Sequence, residues 1–234
     1  MSRVQTITFP VLLAVAAGTC VALGVWQLTR LADRRAANAR AMALREQPPV
    51  NLAEPNRPEL LVNRRVVADG AFDAARSFIL RQRPQRGFPG VQVVTPLRLD
   101  GSDTAVLVNL GHVPTVDAVT VDRSMLEIPA GGPVSGLAVA MADSRDLAQP
   151  LVRGGDTTWR HLVYEVASSR LPYPILPVVV LRGELDSAGG FPRPIPYPAL
   201  DDGPHLSYAI QWFAFAVIAL VGGGLWLKKR RETT

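Results

Sequence analysis

Cysteine is all but missing from this chain: Cys20 stands alone among 234 residues. No disulfide can close within one molecule, and cysteine usage leaves the redox compartment unread. Histidine is scarce as well. His112, His161 and His205 are the full set; they do not fall at zinc-ligand spacing, and no thiolate assists them. Two further signatures are missing: the glycine-rich loop ending in lysine and serine that cradles phosphates, and the Gly-x-Ser-x-Gly turn that presents a nucleophile. A serine–histidine–aspartate site has no local support either, so an enzyme is not expected. Internal repeats are absent.

Acidic and basic residues are missing altogether from two stretches, Ile7–Leu28 and Leu206–Leu227. Each is about 22 residues long, or about 33 Å as a helix at 1.5 Å per residue. A hydrocarbon core is about 30 Å thick, so each run predicts a membrane-crossing helix with slight tilt. The first run is too long for a signal-peptide core and offers no small-residue cleavage site before Trp26-Gln27-Leu28-Thr29-Arg30, so an uncleaved anchor is expected. Ala14, Gly18 and Ala22 recur every four residues along it. That spacing allows close helix approach, although abundant alanine accounts for it equally well.

The net charge of +5 is unevenly spread. Lys228, Lys229, Arg230 and Arg231 dominate the tail, and Arg30, Arg34, Arg35, Arg40 and Arg45 follow the first run. Residues 46–227 are left net acidic, the reverse of a nucleic-acid-binding balance, and nucleic acid is excluded as an expected partner. By the positive-inside rule the basic tail lies in the cytoplasm. Two spans then place both termini there, with residues 1–6 as a short cytoplasmic N-terminus and 228–234 as a cytoplasmic tail. The long segment 29–205 is expected outside, because long domains translocate largely regardless of charge. The lack of an Arg/Ser-rich leader before Ile7 favours a bacterial inner membrane over a mitochondrial one.

Residues 28–45 continue the first helix out of the membrane until Pro48-Pro49 ends it. Alternating apolar stretches then predict strands at Val62–Phe72, Ser77–Gln82, Val91–Leu99, Thr104–Val113, Pro133–Ala142 and Ile175–Leu185. Asp100-Gly101-Ser102-Asp103 reads as a hairpin turn, and Pro96 predicts an edge or a bulge. Trp159, Leu162, Val163 and Val166 fall at helical spacing, with caps among Asp156–Thr158 and a stop at Pro172. The expected fold is therefore two transmembrane helices flanking an α+β, antiparallel β-rich, barrel-like domain. Five prolines from Phe191 to Pro204, the last included, predict a stiff linker over 191–204, serving as a spacer or a docking segment.

Five blocks carry a family resemblance. Leu23-Gly24-Val25-Trp26-Gln27-Leu28-Thr29-Arg30 ends the first run, and His205-Leu206-Ser207-Tyr208-Ala209-Ile210-Gln211-Trp212-Phe213 opens the second. Between them stand Arg65–Phe72, Gly90–Leu97 and Val106–Pro114. In this order on a two-span frame the chain resembles the SURF1 family of cytochrome oxidase assembly factors. It departs from the family pattern where Leu110 and His112 replace an arginine and a tryptophan, and where Gly203 and Pro204 replace paired asparagines.

The resemblance implies a factor assisting haem a insertion into, or maturation of, the catalytic subunit of haem–copper cytochrome c oxidase. It also implies haem a as a transient cofactor, with the catalytic subunit, haem a synthase and membrane lipid as partners. A cofactor-free membrane scaffold binding an oxidase subunit is the alternative. His205, Tyr208, Trp212 and Phe215 lie within about 80° on a helix at 100° per residue. An aromatic belt explains them without a cofactor. The resemblance implies His205 as an axial ligand of haem iron, with Tyr208, Trp212 and Trp26 shaping the site. Arg30 is expected to anchor at the interface; pairing with a haem propionate is its other reading. His112 is expected as the fourth residue of the Val106, Val108, Leu110 face at a strand end, and His161 as solvent-facing.

Overall fold

The computed structural model describes residues 3–54, 57–143, 149–183 and 190–232. In chain order it runs from α1 (Arg3–Glu46) through β1 (Val50–Asn51), β2 (Arg65–Ala68), β3 (Gly70–Phe72), β4 (Phe78–Leu80), β5 (Gly90–Leu99) and β6 (Ala105–Pro114). There follow β7 (Val134–Ala140), β8 (Leu151–Arg153), β9 (Asp156–Trp159), α2 (Tyr164–Ser169), β10 (Ile175–Arg182) and α3 (His205–Glu232). Two compact units result: residues up to 41 with those from 199 onward, and residues 42–198. Residues 1, 2, 184, 185, 233 and 234, part of the expected N-terminus, last strand and tail, lie outside the described residues.

The first unit is a helix pair. α1 and α3 are both long and apolar enough to cross a membrane. Covered positions on α1 include Leu13, Ala17, Cys20, Gly24, Gln27 and Leu31, and on α3 His205, Ala209, Trp212, Ala216, Ala219, Gly223 and Trp226, with Leu23 and Phe213 also covered beside them. Alternating steps of three and four make each set a coiled-coil-like seam. Ala14, Gly18 and Ala22 are exposed, and a Cβ on Gly18 would meet nothing within 4 Å. The close approach instead uses Ala17 and Gly24. Outside the seam the apolar side chains of both helices stand bare, among them Leu12, Val15, Ile218 and Leu220.

The second unit is built on one mixed sheet in the order β1-β2-β7-β10-β6-β5-β4-β9-β8, with β3 also paired to β5. Three pairings are parallel: β1 with β2, β10 with β6, and β4 with β9. The expected antiparallel barrel is thus a mixed sheet, and among the described residues no pairing joins β1 to β8. Side chains of β6 alternate between two cores. Val106, Val108 and Leu110 pack with Leu97, Leu99 and Val180, whereas Ala105 and Leu107 pack with Val94, Trp159 and Ala167 of α2. Both faces of the central strands are therefore covered, which is why β5 and β6 read as nearly continuous apolar runs.

Pro96 does what its missing N–H dictates. Its carbonyl accepts from Asp73 N at 2.9 Å, so the donorless edge of β5 faces the β3–β4 side, where the ladder breaks. Phe72 pairs with Leu97 and Phe78 with Val94, so Asp73–Ser77 bulge outward opposite Thr95 and Pro96. Tyr173 Oη donates to Asp73 Oδ2 at 2.8 Å, and Arg76 Nη1 donates to the same oxygen at 2.7 Å. The Asp73 carboxylate is only 13% exposed. Burial pushes its pKa up, and the Tyr173 and Arg76 hydrogen bonds overcome this to hold it below the usual range. Burial first, then the Asp73 bond, raises that of Tyr173. Asp73, depressed when folded, stabilises above the unfolded carboxylate pKa and loses that contribution as pH falls through its folded value. Tyr173, raised when folded, loses its contribution as pH rises past about 10. Tyr173→Phe should cost about 1–2 kcal/mol at neutral pH, and denaturant melts should show that difference shrinking below pH 4.

The predicted helix beginning near Asp156 is corrected. Asp156–Trp159 is strand β9, and α2 covers only Tyr164–Ser169. Gly154 and Gly155, at φ +59° and +85°, make the two-residue turn of a β8–β9 hairpin. The β-branched Thr157 and Thr158 then extend readily. The linker is corrected too. Phe191 packs with Ile79, Val91 and Val113, and Arg193 exchanges backbone hydrogen bonds of 2.7 and 2.9 Å with His112. Only residues 194–202 carry no bridge, helix or strand.

Candidate functional site

In the first unit a polar contact crosses the seam. His205, the first residue of α3, places Nδ1 2.8 Å from Gln27 Oε1 on α1. An amide oxygen only accepts, so Nδ1 is the donor, and in the neutral imidazole the lone pair is then on Nε2. Gly203, at φ +66°, turns the chain into this position. A Cβ there would stand 3.8 Å from Nε2, so the glycine keeps the approach open. Pro204 supplies the carbonyl that Tyr208 N and Ser207 Oγ reach at the start of the helix.

Beyond the span, the arginines of α1 meet the two acids before α3. Arg35 Nε donates to Asp202 Oδ2 at 2.8 Å, and Arg34 Nε and Asn38 Nδ2 both donate to the Asp201 carbonyl. Asp201 Oδ1 accepts from Gly203 N, closing the turn that delivers His205. Arg30, Asp33, Arg34, Ala37, Asp201, Gly203, Pro204 and His205 line an open cleft of about 530 Å³.

The predicted aromatic face is divided by the seam. His205 and Trp212 lie on the covered side, but Tyr208 is 46% and Trp26 54% exposed. Trp212 sets its ring edge-on to Phe215, with centroids 5.9 Å apart. The structure brings His205 to Gln27, a partner singled out by sequence only as part of the Trp26-Gln27 block. Gly24 fits the same seam: a Cβ there would lie 2.6 Å from the Phe213 ring. Gly24→Leu should therefore wedge the helices apart at a cost of about 1–3 kcal/mol, seen as a lower melting temperature of the detergent-solubilised protein.

His112 does not continue the Val106 face. Val93 pairs with Gly111 and Val94 with Asn109, so β6 carries one extra residue there. One residue of slip swaps faces. Val113 continues the face and joins Val91 and Val93, while His112 turns the other way, opposite Gln92. It is buried, and desolvation lowers its pKa, partly offset by the Arg83 backbone. His161 is half-buried rather than solvent-facing. Burial and then the charges of Arg83 and Arg160 lower its pKa. Among the described residues no three His, Cys, Asp or Glu side chains gather as a metal site.

Residues 14–217 match the SURF1 family model. The chain belongs to the SURF1 family. A SURF1-like protein of Monosiga brevicollis is 28% identical over 224 residues, covering 90% of this chain and 83% of that protein. Uncharacterised SURF1-like proteins of Mycobacterium bovis and Mycobacterium tuberculosis are 30% identical over 217 residues, covering 86% of this chain and 75% of theirs. The SURF1 match reaches into both helices, so both members of the Gln27–His205 pair lie inside the family region.

Proposed function

We propose that this chain is a membrane-anchored assembly factor for haem–copper cytochrome c oxidase that assists haem a insertion into the catalytic subunit. Both termini are cytoplasmic and the β domain is extracytoplasmic in a bacterial inner membrane. Family membership supports the oxidase role. The bare apolar flanks of α1 and α3 support the membrane, since in water those side chains would stay solvated at about 25 cal/mol per Å².

The observation that carries the haem reading is the Gln27–His205 hydrogen bond. A haem iron takes axial nitrogen ligands. An imidazole held through Nδ1–H by an amide oxygen is oriented, is of one tautomer, and offers Nε2. His205 would hold the iron, Gln27 would position the ring, and Arg30 and Arg34 in the adjoining cleft suit carboxylates through charge-assisted hydrogen bonds. Trp212, Tyr208 and Trp26 offer apolar surface around it. The chain itself performs no turnover in this reading; it binds and hands on.

A cofactor-free scaffold is the second reading, favoured by one fact: Arg30, Arg34 and Arg35 already face Asp33, Asp201 and Asp202. Deleting the chain from its host separates neither reading but tests both. The oxidase purified from such cells should lose several-fold in activity and haem a content, with recovery from a plasmid copy. An oxidase unchanged by the deletion would end the assembly role. A reporter active only outside the cytoplasm, inserted at Gly154-Gly155, should be active.

A further inference from the structure

Arg81, Arg83 and Arg160 gather on the parallel β4–β9 pair with no carboxylate among the described residues to neutralise them. Arg81 N bonds the Trp159 carbonyl, so Arg81 and Arg160 continue the two strands side by side. Every acceptor that fixes the three guanidinium groups is neutral. Arg81 donates to the carbonyls of Thr158, at 2.7 Å, and Gln149. Arg83 donates to the Arg160 carbonyl, and Arg160 sets both Nε and Nη2 on Gln82 Oε1. Arg83 Nε is buried without a partner.

Arg123 and Arg153 meet acids, on Asp156 and Asp117, whereas Arg45 and Arg64 donate singly to the carbonyls of Pro198 and Pro48; what sets the cluster apart is that three such cations stand together. Here burial and mutual repulsion with Arg160 lower the pKa values of Arg81 and Arg83. Neutral acceptors orient a guanidinium without cancelling its charge, leaving its field for an incoming anion. Beside the cluster, the loop 81–89 and the loop following β6 are tied by Gln82 N to Ala118 O and Thr115 N to Pro89 O. These two loops hold Phe88, 66% exposed, and Val116, fully exposed.

We propose that Arg81, Arg83 and Arg160 form a binding site for a phosphate oxyanion, either free or carried by an anionic lipid headgroup. The three forks present fixed donors to an oxyanion, and a doubly charged phosphate offsets more of their charge than one carboxylate would. Apolar Phe88 and Val116 beside the charge suit a lipid interface. That source alone rests on the membrane reading above; the phosphate site does not.

The test compares the full-length chain with Gln82→Glu and Arg160→Gln. Gln82→Glu puts a carboxylate where Arg160 now meets an amide, so it should raise the basal melting temperature and remove the response to phosphate. Phosphate stabilises most proteins by exclusion from their surface, so the signal is the difference between variants in the same buffer. In neutral detergent, a free-phosphate site gives wild type an extra, saturable rise of about 2–4 °C over chloride at equal ionic strength. A lipid site gives that rise only in nanodiscs containing phosphatidylglycerol and not in phosphatidylcholine alone. Arg160→Gln should lose the response in whichever arm shows it, and Arg86→Gln, an exposed arginine of the neighbouring loop, should keep it. The site is overturned if wild type responds in neither arm, or if Gln82→Glu and Arg160→Gln respond like wild type.

Discussion

His205→Ala protein purified from cells that make haem a should show a Soret band at least about tenfold weaker, per mole of chain, than the parent. Losing the ligand removes a metal–nitrogen bond outright, whereas losing an outer partner of a ligand costs about 10–100-fold in affinity. Gln27→Leu is therefore the informative companion. It keeps the imidazole but removes the acceptor that fixes its tautomer, and it should weaken the band partially while shifting its position. Both variants should melt close to the parent, because His205 and Gln27 sit at the end of a seam whose buried contacts, Ala17, Gly24, Ala209 and Ala216, they do not supply. If the parent carries haem and His205→Ala carries as much, His205 is not the ligand. If the parent carries none while deletion still depletes the oxidase, the scaffold reading replaces the haem reading.

The largest stability loss expected anywhere in the β domain is at Gly111. Its φ is +133°, and a Cβ there would stand 1.9 Å from the Arg193 carbonyl oxygen and 2.2 Å from its carbon. Both atoms are backbone and cannot rotate away. The bulge that needs this glycine is completed by Asn109, whose buried amide accepts from Gly111 N at 3.0 Å and donates to Gln92. Gly111→Ala should cost about 3 kcal/mol or more, combining backbone strain with displacement of the 191–193 segment from β6. Gly101→Ala is the control: φ is also positive, at +71°, but nothing lies within 4 Å, so only about 1 kcal/mol is expected. Chemical denaturation of the two variants side by side measures the gap. Equal losses would mean that Arg193 does not dock on β6.

Much of this chain was readable one residue at a time. Two charge-free runs of about 22 residues named the apolar helices, because length and charge are local facts. β5 and β6, with the turn between them, followed from alternation and Asp100-Gly101. Pro96 announced its bulge because a missing donor acts wherever the residue sits. Local pattern failed where two periods coincide. Trp159 and Leu162 line the core beneath α2 and Val163 is buried as well, and three buried residues at steps of three and one fit a strand end plus a loop as well as a helix. The Gly154-Gly155 pair was the available sign of the hairpin.

The site divides in the same way. Sequence determined that His205, Tyr208, Trp212 and Trp26 stand toward one end of each charge-free run and that the family pattern runs through them. Only the packing of α1 against α3 decided that His205 meets Gln27, that Tyr208 and Trp26 face outward, and that Asp201 and Asp202 hold Arg34 and Arg35. Likewise an unpaired bulge residue, Leu110, sent Val113 to the face assigned to His112. Helix periodicity and strand alternation fix which residues share a face of their own element. Which face meets which depends on contacts between residues far apart in the chain, here 178 positions for His205 and Gln27, and no local window of sequence contains both partners.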